Sequence, residues 1–124
     1  MTTPDQHLSE ATGLVRAFNH ATITAGEDWQ YPGHAYQAIG QLGHLARMLP
    51  QAIEQTAGPV TLTHEGGRLL IDGGGDPAHA VQHLRTALNT AVQAAELLAE
   101  AIAHLHAVTG PMSLDIRGLP GFED

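Results

Sequence analysis

The run from Asp76 to Gly110 constrains this chain more than any other stretch. Asp76 is a residue that caps helices, Pro77 suits a first turn, and Gly110-Pro111 ends what they begin. Between them apolar residues fall at Val81, Leu84, Leu88, Ala91, Ala95, Leu98, Ile102 and Leu105, in alternating steps of three and four. Such a heptad seam predicts one helix from Pro77 to Thr109, roughly 50 Å long at about 1.5 Å per residue. Ala80, Ala87, Ala94 and Ala101 form a stripe of small residues beside it. A helix of that length needs neighbours to cover its apolar face.

Two earlier segments carry the same period. Thr3-Pro4-Asp5-Gln6 reads as a cap, a first-turn proline and the closing residue of a capping box. It predicts a first helix near 4–25, with Leu8, Ala11, Val15, Phe18 and Thr22 on one face. A second helix is expected from about 34 to 57, with Ala35, Ile39, Leu42, Ala46, Leu49 and Ile53 as its seam and a kink at Pro50. Gly40 and Gly43 lie along one side of it. Each costs a helix about 1 kcal/mol relative to alanine, so a close backbone approach is expected there. The alanine stripe of the long helix, from the same chain or a second copy, is the expected neighbour.

The period changes at Val60. With Gly66-Gly67 as a two-residue turn, Val60, Leu62, His64, Leu69 and Ile71 share one face, and Glu65 faces Arg68 across the strands. A β-hairpin over 60–72 is therefore expected between the second and third helices. After Gly110-Pro111, Met112, Leu114 and Ile116 alternate with polar residues, which suits a short strand in an extended tail over 111–124. The tail leaves the end of the long helix far from the hairpin, so it either covers the Trp29 loop or pairs with the hairpin of an antiparallel partner chain.

Composition narrows the functional classes. The chain has 124 residues, a formal net charge of -8, five arginines, no lysine and no cysteine. The scattered arginines make no basic patch, so a footprint on nucleic acid is not expected. Absence of cysteine removes disulfides, thiolate zinc sites and cysteine nucleophiles. No apolar run is long enough for a membrane span, and the first residues are polar rather than a signal peptide, so a cytoplasmic protein is expected. Abundant Ala, Gly and Arg without Lys resembles the residue usage of a high-GC bacterium.

Candidate functional residues are few. His79 and His83 stand at i and i+4 beside Asp76, a spacing that can grip a divalent metal, and His64 on the hairpin is the candidate third ligand. The same cluster at the hairpin end of the long helix is the candidate site of a small-molecule-binding bundle. Trp29 and Tyr31 in a loop, with Phe122 in the tail, are candidate partner-binding aromatics, because such rings dominate binding hot spots. Gly40, Gly43, Ala87 and Ala94 are the candidate residues of a helix–helix interface. Glu96 and Glu100 are an outward i, i+4 pair, and neither Ser9 nor Ser113 has the setting of a nucleophile.

These readings converge on a mainly α protein. One domain is expected over 1–124: three antiparallel helices in a bundle, the hairpin, the extended tail, and pairing as a homodimer. The expected function is non-enzymatic: a protein-interaction or regulatory module without a cofactor. The alternative is a metal- or small-molecule-binding bundle, with His64, His79 and His83 as the site.

Overall fold

A computed structural model describes residues 1–122, of which the great part is helical. The helices are α1, Pro4–Ala21; α2, Pro32–Gln55; α3, Gly58–Glu65; and α4, Pro77–Thr109. Among the described residues there is no β-strand; the one ladder contact is an isolated bridge between Gly26 and Trp29. The last two residues of the expected tail lie outside the described residues. The chain divides into two compact units, Met1–Ala35 with Ser113–Asp124, and Tyr36–Met112.

In the first unit, α1 begins as its residues dictate. The Thr3 amide donates to Gln6 Oε1 at 2.8 Å, which fastens the chain entering the helix. The helix stops at Ala21, four residues short of the expected end, where Thr22 turns its hydroxyl back onto the Phe18 carbonyl. None of the residues of α1 is buried, and Leu8, Leu14, Val15 and Phe18 are exposed. Trp29 is half-buried and meets the edge of Phe18, with ring centroids 5.6 Å apart. From the tail, Phe122 packs edge-on to Tyr31 at 6.3 Å. The tail thus covers the aromatic loop. The strand expected at Met112–Ile116 does not form, since no sheet edge offers it a ladder.

In the second unit, α4 starts on Asp76, whose Oδ1 accepts from the Ala78 amide at 3.1 Å. Gly73, Gly74 and Gly75 precede it with φ of 82°, 86° and 151°, backbone conformations that let the chain swing into the helix. α4 lies antiparallel to α2. Gly40 meets His106, Gly43 meets Ile102 and Glu54 pairs with Arg85, so positions rise along one helix as they fall along the other. α2 runs through Pro50 as one helix. α3 packs on α4.

The expected hairpin is overturned. Val60 to Glu65 belong to α3, and Gly66-Gly67 close that helix instead of turning a hairpin. Gly67 takes φ of +72°, its amide donates to the His64 carbonyl, and the Arg68 amide donates to Thr63. This is a Schellman closure, which uses the same glycine pair that a tight hairpin turn uses. Pro59 sits in the first turn of α3, where its missing amide costs nothing, and Thr63 Oγ1 donates to its carbonyl at 2.7 Å. The β-branched residues Val60, Thr61 and Thr63 thus follow their surroundings rather than their preference for strands. Leu69 to Ile71 continue as an irregular connection.

Among the described residues the buried apolar core is small and lies in the second unit: Ala46, Ala57, Leu88, Ala95 and Ile102. Leu88, Ala95 and Ile102 keep the heptad spacing of the seam. Its other members divide. Val81, Leu84 and Ala91 are half-buried, whereas Leu98 and Leu105 remain 47% and 46% exposed. One neighbouring layer covers only one edge of so wide an apolar stripe.

Candidate functional site

His44, Arg47 and His106 of the second unit gather on one side of the α2–α4 pair. Gly40, His44 and Arg47 come from α2, Ala103 and His106 from α4, and Ile39, Gly43 and Ile102 complete the lining of a groove of about 210 Å³. Helical spacing explains the set: positions 40, 44 and 47 lie three and four apart and share a face. The same holds for Ile102 and His106 on the opposing helix.

His106 is held on two sides. The Tyr36 ring stacks on it with centroids 4.0 Å apart and planes 13° from parallel. Gly40 leaves space for its edge, since a Cβ there would stand 3.2 Å from His106 Nε2. Arg47 Nη2 lies 2.7 Å from His44 Nδ1. A guanidinium only donates, so Nδ1 is the acceptor, and the His44 proton is placed on Nε2. No carboxylate among the described residues lines the groove. The ion pairs among the described residues are elsewhere, Arg85 with Glu54 and Arg117 with Asp115.

The residues singled out from sequence fall in several places. His79 and His83 stand one turn apart with ring centroids at 6.5 Å. His64 lines a separate groove with Gly67, Leu69, Asp76, Pro77 and Ala78, which brings it near the start of α4. No group of three or more His, Asp or Glu able to hold a metal ion occurs among the described residues. Gly40 and Gly43 do receive a close neighbour, but it is His106 and Ile102 rather than the alanine stripe. Ala87, Ala94 and Ala101 are exposed, and Ala80 is half-buried. Trp29 and Tyr31 are half-buried among Phe18, His34 and Phe122.

Sequence reasoning missed two histidines. His34 Nδ1 accepts from the amides of Gln30 and Tyr31, both at 3.2 Å, and so fastens the start of α2 from its third position. A glutamate or glutamine is the usual residue in that role, and nothing in the local spacing signals a ring nitrogen. His106 went unassigned because a stacked partner seventy positions away leaves no trace in spacing along one helix.

The opposite side of the α2–α4 pair is apolar. Leu42, Leu45 and Leu49 lie across the α2 core line from His44 and Arg47, and Ala94, Leu98, Ala101, Leu105 and Val108 lie across the α4 core line from Ala103. Leu42 and Val108 are 44% and 45% exposed. No helix of the described residues is long and apolar enough to cross a membrane. Compared with protein-family models, with curated proteins and with solved structures, the chain matches none.

Proposed function

We propose that this chain is a non-enzymatic protein-interaction module whose α2–α4 pair presents its apolar face to a second copy. The observation that carries the reading is the face itself. Leu42, Leu97, Leu98, Leu105 and Val108 are exposed, while among the described residues no large side chain is fully buried. Two packed helices make one layer, and a stable domain is built from two. An isologous two-fold pairing supplies the missing layer from the same face of another copy and gives a four-helix arrangement. Ala94 and Ala101 between the leucines permit the backbones to approach closely. The five exposed side chains present on the order of 400 Å² per copy, so a two-fold contact buries about 800 Å² of them, and the alanines and flanking residues supply the rest of the about 1,200 Å² that a specific interface takes.

Light scattering behind size exclusion tests the proposal. The expected mass is twice the 13.1 kDa of one chain. The Leu98→Glu, Leu105→Glu double variant is expected to return it to one chain with its helical circular dichroism retained. A single-chain mass for the unaltered protein at about 100 μM, well above the range of specific dimers, refutes the pairing. An unchanged dimer in the double variant refutes the choice of face.

A further inference from the structure

We infer that His79 and His83, in the first turns of α4, are a chelating site for a divalent transition-metal ion of the copper, nickel and zinc class. The inference needs one chain only and is independent of the pairing proposed above, whose face is built from the other end of α4.

Three observations carry it. The first is the spacing of the ligands. Of the nine histidines, only His79 and His83 stand one helical turn apart. Their rings lie side by side, with centroids 6.5 Å apart and planes 24° from parallel. A zinc–imidazole bond is about 2.0 to 2.1 Å long, which sets each ring centre about 3.2 Å from the ion and two neighbouring rings about 4.5 to 5.2 Å apart. The two rings therefore close on one ion by approaching each other about 1.5 Å. Both side chains are exposed, so other rotamers are open to them.

The second is that these rings are not otherwise engaged. Neither makes a hydrogen bond to a described residue, whereas His34 Nδ1 accepts from two amides, His44 Nδ1 from Arg47, and His106 stacks on Tyr36. Exposure does not weaken such a site. A coordinate bond to a neutral imidazole replaces a hydrogen bond to water and needs no unmet donor.

The third is the local charge. Arg85, the one arginine of α4, is paired with Glu54. Asp76 stands at the N-cap, three residues before His79, where its carboxylate offsets the positive end of the helix dipole. With a net charge of -8 on the chain, the field does not oppose a dication.

The ligand set fixes the class of ion. It holds two imidazoles and no thiolate, and no third protein ligand joins them among the described residues. Imidazole suits copper, nickel and zinc, whereas magnesium and calcium take oxygen ligands. Water fills the remaining positions, so the ion is exchangeable and copper(II) is held most tightly.

Calorimetric titration of the untagged chain with copper(II), nickel(II), zinc(II) and magnesium(II) tests the assignment, with the histidine ring ¹H–¹⁵N signals followed under zinc. One copper ion per chain is expected, held more tightly than nickel or zinc, with no heat from magnesium. Zinc is expected to shift the His79 and His83 rings together and to slow amide exchange in the first turns of α4, which the chelate clamps. His79→Ala and His83→Ala are each expected to weaken copper by at least the about 10-fold that loss of an outer partner costs a metal site. His104→Ala is expected to leave it unchanged. Circular dichroism confirms that each variant keeps its helices. Absence of saturable copper binding overturns the site, as does unchanged affinity in His83→Ala or zinc shifts centred on other histidines. Magnesium binding as tightly as zinc overturns the class of ion.

Discussion

Replacing Gly43 by alanine separates two explanations of the glycines in α2. If Gly43 is there because a backbone presses against it, any side chain is harmful. The structure predicts the reverse. A Cβ at position 43 would stand 3.7 Å from Ile102 Cγ2 and 3.5 Å from Arg47 Nη1, both ordinary van der Waals distances. Alanine in place of glycine in a helix interior contributes about 1 kcal/mol. Gly43 is buried, so the added methyl contributes up to about 0.8 kcal/mol more by leaving water. The net expectation is stabilisation by about 1 to 2 kcal/mol, equivalent to roughly 4 to 8 °C in melting temperature for a chain of this size. Gly40→Ala is the matched control. It has the same gain in propensity, but its Cβ would lie 3.2 Å from His106 Nε2 and must push the ring off the Tyr36 stack. Such stacks are worth about 0.5 to 1.5 kcal/mol, so the gain is cancelled or reversed. Thermal melts followed by circular dichroism measure both variants, at one protein concentration because self-association shifts the midpoint. A Gly43→Ala protein that melts below the unaltered one refutes the reasoning. It would mean that something comes closer to the Gly43 Cα than Ile102 does.

Other perturbations test the local structure. Asp76→Ala removes the acceptor for the Ala78 amide and is expected to cost about 1 kcal/mol, with faster amide exchange confined to the first turn of α4. Gly67→Ala puts a side chain at φ of +72° and is expected to cost about 1 kcal/mol or more, fraying the C-terminal end of α3 in exchange measurements. Asp115 is held below the ordinary aspartate value by the Arg117 side chain and then by its amide. Because its folded value is the lower one, the pair's contribution is present above the ordinary value and fades as pH falls through the folded one. Both groups are exposed, so Arg117→Gln is expected to raise the Asp115 carboxyl titration measured by NMR while leaving the melting temperature almost unchanged.

Much of the architecture was legible in the residues because the signals were local. The cap at Asp76, the start at Thr3–Gln6 and the span of α4 rest on backbone donors satisfied within a few positions, and spacing reports those directly. Glycines at 40 and 43 signalled that a neighbour comes close, but that neighbour is His106 and Ile102 rather than the expected alanine stripe. The candidate groove was not legible. Its parts are Arg47 and His44 on one helix and His106 on another, and neither helix alone marks them as a set.

The stretch from Gly58 to Ile71 shows where local information ran out. Val60, Leu62 and His64 alternate as a strand does, and Gly66-Gly67 serves a hairpin turn or a helix end equally well. The helix with its Schellman closure satisfies backbone groups internally and packs against α4, whereas a lone two-stranded hairpin has little to stabilise it. The long seam is the second such place. By itself the sequence determined that α4 is a helix with a broad apolar stripe, because the 3.6-residue period and the caps are properties of neighbouring residues. Only the tertiary structure decided which edge of that stripe is covered. Ala95 and Ile102 are buried, Ile102 against Gly43 of α2, while Leu98 and Leu105 stay nearly half exposed, since burial depends on which surfaces meet, and that is a property of pairs of elements remote in the chain.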